Sequence, residues 1–228
     1  MVKLRNKNIA ALIVAGGTGS RLGGDTPKQY LKINNKPIIS YTVDKFRNHP
    51  GINHVCVAIS KEKKQTFTEI FKDTVDFCFG GNERKDSVRL GLEYLTKINP
   101  DFVLIHDAAR PLINEEDITQ IIEKLDGGCG VVAAKKINDT VKKVNGQNIL
   151  HTISRKSLMA AETPQAFDFN KIFLLHQEHK HLHFTDDSML FEMEGLPVKF
   201  IETTSNNIKI TSKEDLLIAE SIIRQNEN

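Results

Sequence analysis

The sequence predicts an α/β fold, a twisted and mostly parallel sheet flanked by helices, on three observations. Strand-like apolar runs alternate with helix-period segments along nearly all 228 residues. Several of those runs are apolar throughout, as strands covered on both faces are. No repeat, low-complexity tract or Pro/Ser-rich linker breaks the pattern, so one domain is expected over 1–228.

Ile9 to Ala15 is a continuous apolar run and reads as a first buried strand. Pro37 suits the first position of a helix through about Arg47, with Ile38, Ile39, Val43 and Phe46 on its inner face. His54 to Ile59 is a second strand, Glu62 to Phe71 a helix, and Val75 to Phe79 a third strand ending in Gly80-Gly81. Asp86 to Leu95 makes a helix, and Phe102 to His106 a fourth strand running into Asp107. Asn114 is placed to cap the next helix, with Glu115, Glu116 and Asp117 in its first turn. Cys129 to Ala134 is another buried strand. Residues 135–152 differ in character, alternating polar and apolar around Asn145-Gly146, a hairpin turn signal. A hairpin this polar buries little alone, so residues 136–154 are expected to project as an arm and meet a partner. Helices near Lys171 to His179 and Asp186 to Glu194, a strand Val198 to Ile201 and a helix from Lys213 complete the chain.

Composition excludes several classes. No run approaches the roughly 20 apolar residues that span a bilayer. The basic start, Met1 to Lys7, leads into an apolar run ending in Gly16-Gly17, which reads as a strand and not as a leader. The three cysteines, Cys56, Cys78 and Cys129, lie far apart in apolar contexts, so they are expected in the core of a cytoplasmic protein. Net charge is only +2, and no basic stretch carries interleaved aromatics, which favours a nucleotide-sized ligand over a nucleic acid. His176, His179, His181 and His183 mix helix and strand spacings without a supporting cysteine, so a zinc site is not expected there.

The segment Ala15-Gly-Gly-Thr-Gly-Ser-Arg-Leu-Gly-Gly-Asp-Thr-Pro-Lys28 leaves the carboxyl end of the first strand, where open α/β sheets bind ligands. Its five glycines let backbone N–H groups approach a polyanion, and Arg21 and Lys28 add two cations. Two common phosphate loops fail on specifics. After Gly17-x-Gly19 the next glycine, Gly23, comes one residue late for a dinucleotide fingerprint, and the second strand ends Ile59-Ser60 without an acid. Gly19 to Gly24 has Walker spacing, but Asp25 stands where a lysine must meet phosphate. The loop therefore points to a triphosphate held in some other frame.

Ordered blocks along the chain add a resemblance. They are Gly19-Ser-Arg21, Pro27-Lys-Gln-Tyr30, Gly80-Gly-Asn-Glu-Arg84 with Ser87-Val88, and His106-Asp-Ala-Ala-Arg-Pro111. Further on come Asp139-Thr-Val-Lys142, Thr163-Pro-Gln165, Thr185-Asp186 and Asn207-Ile-Lys-Ile-Thr211. Together they resemble the 2-C-methyl-D-erythritol 4-phosphate cytidylyltransferase family of the non-mevalonate isoprenoid pathway. The ribitol-5-phosphate cytidylyltransferases share the fold and most blocks. Ala15-Gly16-Gly17 and Asn82 depart from the methylerythritol pattern, which usually reads Ala-Ala-Gly and an acid there.

The resemblance implies a Rossmann-like nucleotidyltransferase fold with a β-hairpin arm, and transfer of CMP from CTP to methylerythritol phosphate with release of pyrophosphate. A ribitol phosphate acceptor, or a module that binds CTP without turnover, are the alternatives. It implies Arg21, Lys28, Arg155 and Lys209 as catalytic groups, and Ala15, Gly16, Gly17, Thr18, Gly19, Gly81, Asn82 and Ser87 at the nucleotide. Asp107, Arg110, Thr140, Thr163, Thr185 and Asp186 would face the acceptor, with Asp107 also a candidate for the metal. Mg²⁺ held mainly by CTP phosphates is the implied cofactor. In the family the arm crosses to a second subunit of a homodimer, so Thr140 and Arg155 would complete the partner's site.

Overall fold

The computed structural model describes residues 7–17 and 26–227. Strand β1 (Ile9–Ala15) is buried along almost its whole length because both faces are covered. Ile9, Ala11, Ile13 and Ala15 pack into one apolar cluster, and Ala10 and Leu12 into another on the opposite face. That two-sided burial is why the run carries no polar alternation.

A short hairpin follows, β2 (Lys32–Ile33) and β3 (Lys36–Pro37), turned by Asn34 and Asn35, both at positive φ (47° and 63°). Two left-handed central residues make a tight primed turn, which asparagine tolerates. Helix α1 (Ile38–Arg47) therefore begins one residue later than the sequence suggests. Pro37 is its N-cap, extended at φ −58° and ψ 142° and paired with Lys32 across the hairpin.

The remaining elements are β4 (His54–Ile59), α2 (Lys64–Phe71), β5 (Asp76–Phe79), α3 (Arg84–Leu95), β6 (Phe102–Asp107) and α4 (Glu115–Lys124). Then come β7 (Gly130–Lys136), β8 (Val141–Asn145), β9 (Asn148–Ile153), β10 (Met159–Asp168), α5 (Phe169–Glu178), α6 (Ser188–Met193), β11 (Val198–Glu202) and α7 (Lys213–Glu227). Caps fix several helix starts. Asn114 accepts from Asp117 N–H at 2.7 Å, and Asp168 from Lys171 N–H at 3.0 Å. Glu83 and Asp86 form a reciprocal capping box on α3.

Among the described residues, seven strands form one sheet in the order β11-β7-β10-β6-β1-β4-β5. All neighbours are parallel except β10, which runs antiparallel to both β6 and β7. Strand β10 is an element the sequence reading lacks. Its run Met159 to Asp168 has no alternation and contains Pro164, which argues against an inner strand. The sheet accommodates the proline at a register irregularity between Ala161 and Gln165, where pairing to β7 lapses.

Strand β1 has β4 on one side and β6 on the other, so successive crossovers leave it in opposite directions. Ligands in open α/β sheets lie at that switch point, beyond the carboxyl ends of the strands. A third apolar cluster, with Ile33, Ile38, Leu112, Ile210 and Ala219, seats α7 beside it. Strands β8 and β9 form a separate two-stranded sheet, and Val144, Ile149 and Leu150 on it are exposed.

Candidate functional site

A cavity of about 270 Å³ opens at the ends of β1 and β6, between Gly16, Lys28, Asn82, Asp107 and Lys209. Its first wall is the start of the glycine loop. The buried Gln29 donates from Nε2 to the carbonyls of Ala15 at 2.7 Å and Gly17 at 2.9 Å, fixing where the loop departs. Gln29 follows Lys28 in a single 3-10 turn, so the same residues that hold the loop place Lys28 on the cavity.

The second wall is the turn before α3. A Cβ on Gly16 would lie 2.7 Å from Ser87 Oγ, and one on Gly81 2.4 Å from Asp86 Cβ. The first loop can approach α3 because Gly16 lacks a side chain, and the turn before α3 can close because Gly81 does. Ser87 Oγ accepts from Gly81 N–H at 3.1 Å, so Gly81 and Ser87 act together behind the surface formed by Asn82. Among the described residues, nothing lies within 4 Å of the missing Cβ of Gly17. Gly81→Ala is therefore expected to weaken binding of a nucleoside triphosphate here about tenfold, and Gly17→Ala far less, by isothermal titration calorimetry.

The floor carries the charge. Asp107 Oδ1 accepts from Arg84 Nε at 2.9 Å, and Oδ2 lies 2.8 Å from Lys209 Nζ and 3.6 Å from Arg110 Nε. Burial alone would raise the Asp107 pKa, but the three cations outweigh it and hold the carboxyl well below the usual range. Arg84 reaches across to Asp187 at 2.8 Å, and Asp187 also contacts His176 Nε2 at 3.1 Å. Asp187 receives two backbone anchors through Gln165, whose Oε1 accepts from the N–H groups of Asp187 and Ser188.

Behind this floor lies a second buried set. Arg110 Nη1 donates to the Asn207 carbonyl at 2.7 Å and sits 3.8 Å from Glu162. Asn207 Nδ2 donates to Glu162 and to the Thr163 carbonyl. Asp117, at the start of α4, accepts from the backbone and hydroxyls of Thr204 and Ser205. Ile210 N–H bonds to the Ala109 carbonyl at 2.8 Å, and these ties together aim Lys209 at Asp107.

His106 is fully buried, and burial pushes its imidazole down to about 4. Its Nε2 lies 3.0 Å from the Arg110 carbonyl, which only accepts, so the neutral ring carries its proton there. Nδ1 then accepts from the Thr163 hydroxyl at 3.1 Å, and that hydroxyl accepts from Asp107 N–H at 3.1 Å. A free histidine titrates near 6.5, so between about pH 6.5 and 4 the unfolded chain binds the extra proton and stability falls with pH. The stability advantage of wild type over His106→Asn is expected to shrink by about 2–3 kcal/mol between pH 7 and pH 4.5 in urea titrations.

The structure brings Ala15, Gly16, Gly17, Lys28, Asn82, Asp107 and Lys209 together on the cavity. Gly81, Ser87, Arg110 and Thr163 stand directly behind it. Thr18, Gly19 and Arg21 lie outside the described residues. Thr185 is exposed, and Asp186 accepts from Ser188 Oγ and Met189 N–H at the start of α6. Thr140 and Arg155 are exposed at the arm and do not line this cavity. Gln29, Arg84, Asp187, Glu162 and Asn207 are site residues that sequence reasoning did not assign. Of the histidine run, His176 pairs with Asp187 and His179 with Glu194. Among the described residues no three His, Cys, Asp or Glu side chains group as a metal cage.

Comparison with known proteins follows from this geometry. The family model for 2-C-methyl-D-erythritol 4-phosphate cytidylyltransferase (IspD) matches residues 9–225. The enzyme of that name from Clostridioides difficile is 39% identical, over 94% of this chain and 93% of its own. The bifunctional enzyme IspD/IspF of Rhodospirillum rubrum is also 39% identical, over 95% of this chain, which spans only 57% of that protein's length. The crystal structure of 4-diphosphocytidyl-2C-methyl-D-erythritol synthase from Anaerococcus prevotii superposes with a TM-score of 0.86. Its identity is 28%, covering 97% of this chain and 98% of that one.

Proposed function

The chain belongs to the 2-C-methyl-D-erythritol 4-phosphate cytidylyltransferase family, and from that premise we propose that it transfers CMP from CTP to methylerythritol phosphate. The products are 4-diphosphocytidyl-2-C-methyl-D-erythritol, a precursor in isoprenoid biosynthesis, and pyrophosphate. One observation carries most weight: Lys28, Lys209 and Arg84 converge on a cavity floored by the buried, ionised carboxylate of Asp107.

A phosphate oxygen of the acceptor attacks the α-phosphorus; the new P–O bond forms as the bond to the β-phosphate oxygen breaks. A phosphate monoester with second pKa of about 6 is already largely dianionic near neutral pH, so no general base is required. His106 fits that account, since it is buried, neutral and bonded on both nitrogens. The chemical difficulty is repulsion between two polyanions, met by positioning and fixed cations. Lys28, with Arg21, holds the triphosphate. Lys209 leaves Asp107 to hold the incoming phosphate, joined by Arg155 of a second copy. Asn82, Gly81 and Ser87 form the wall for the nucleoside.

Mg²⁺ suits this donor set when held chiefly by triphosphate oxygens and water, because the described residues offer no carboxylate cage. Asp107 would be its protein contact, and the ion would neutralise charge on the phosphates. A homodimer is proposed on two grounds. Thr140 and Arg155 lie away from the chain's own cavity, and the arm exposes Val144, Ile149 and Leu150. A cytoplasmic location accords with three free, buried cysteines and with the absence, among the described residues, of a helix able to cross a membrane.

The test is pyrophosphate release from CTP and Mg²⁺ with a panel of acceptors. Methylerythritol phosphate is expected to be turned over and ribitol phosphate not. Release with ribitol phosphate alone would transfer the protein to the other branch, and release with neither would leave a CTP-binding module.

A further inference from the structure

We infer that Lys85 is a positioning residue for the acceptor, fastening the 180–187 segment to the first turn of α3. The inference rests on the cytidylyl-transfer reading, in which Thr185 and Asp186 face the acceptor as the family resemblance implies.

Segment 180–187 joins α5 to α6 without regular structure. Lys85 Nζ donates to the Leu182 carbonyl at 2.7 Å and approaches the Lys180 carbonyl at 3.3 Å. Its side chain is only 16% exposed, and the carboxylate of Glu83 lies 3.6 Å away. A surface lysine ordinarily leaves its ammonium in water; this one instead folds over to two backbone acceptors just past the end of α5. Both carbonyls lie beyond Glu178, the last residue of α5, so the cation satisfies backbone acceptors of the connecting segment itself.

The neighbouring residue holds the other end. Arg84 binds Asp187 at 2.8 Å, and Phe184 is buried between the two ties. Adjacent residues of α3 therefore bracket the segment, and Thr185 and Asp186 lie inside the bracket. Lys85 lines no part of the cavity; its part-buried hydrogen bond is to the segment, whereas its ion pair with Glu83 is long and solvent-exposed. The nucleoside wall has its own supports, the Gly81–Ser87 bond and the Glu83–Asp86 capping box. Slack in the Lys85 tie should thus reach the acceptor and spare the nucleotide.

Lys85→Met keeps the apolar stem and removes the donor. It is expected to raise KM for methylerythritol phosphate about tenfold, leave KM for CTP within about twofold, and be rescued by Lys85→Arg. Hydrogen–deuterium exchange of amides 180–187 should quicken in Lys85→Met and recover in Lys85→Arg. Lys85→Gln carries the same readouts should the methionine variant fold poorly. The inference is overturned if both KM values rise together, or if neither KM nor segment exchange changes. Exchange reads the tie without turnover, whereas absent pyrophosphate release by wild type would sink the parent reading alone.

Discussion

Replacing Lys28 by alanine is expected to lower kcat by about 10²- to 10³-fold, the size of effect seen when a fixed donor to a developing negative charge is removed. Lys28 is placed by its neighbours: Gln29 anchors the loop through the Ala15 and Gly17 carbonyls, and Tyr30 N–H closes the turn onto the Pro27 carbonyl at 2.9 Å. Truncation removes a charge without disturbing those bonds, so circular dichroism and melting temperature should hold. Steady-state kinetics with saturating CTP isolates the effect on the chemical step. A protein that merely sensed CTP would show weaker binding and no turnover to lose, and that outcome would count against catalysis.

Asp107→Ala is expected to cost about 3–5 kcal/mol of stability, because it removes one member of a buried ion network and leaves the others uncompensated. For a chain of this size that corresponds to a fall in melting temperature of roughly 10 °C by scanning calorimetry near pH 7. Arg84 keeps Asp187 as a partner, but Lys209 loses the group that holds it over the cavity. The pH dependence has a definite sign. The cations depress the folded-state pKa of Asp107 below its unfolded value of about 3.9. Its contribution is therefore present above about pH 4 and lost as pH falls through the folded pKa. Wild type and variant should stay separated by a constant margin from about pH 5 to 8, and converge only in stronger acid. A margin that changed between pH 5 and 8 would mean that Asp107 titrates there.

Much of this could be seen in the sequence because it depends on local pattern. The run Ile9 to Ala15, the asparagine cap at 114 and the Asn145-Gly146 turn each carry their physical cause within a few residues. Strand β10 was not legible because Pro164 and the flat pattern of its neighbours conceal an inner antiparallel strand. The Asn34-Asn35 hairpin was missed because two asparagines signal a primed turn more weakly than Asn-Gly does. Within the site, Lys28, Asp107 and Lys209 were assigned from the sequence and converge in space. Arg84 and Asp187 were not, since their pairing spans 103 residues and no spacing rule links them. Gln29 lies within Pro27-Lys-Gln-Tyr30, but its work is structural, holding the loop that its neighbour Lys28 uses.

The arm occupies an unusual place in the chain. Strands β7 and β10 pair directly, with Lys136 opposite Met159, so everything between them departs from and returns to one spot on the sheet. Such an insertion can lengthen, shorten or be swapped while the strands that bear the cavity keep their register. The fold thus uncouples two evolutionary problems. The chemistry at the ends of β1 and β6 can keep Thr140 and Arg155 at the base of the arm while the β8–β9 hairpin beyond them varies in length.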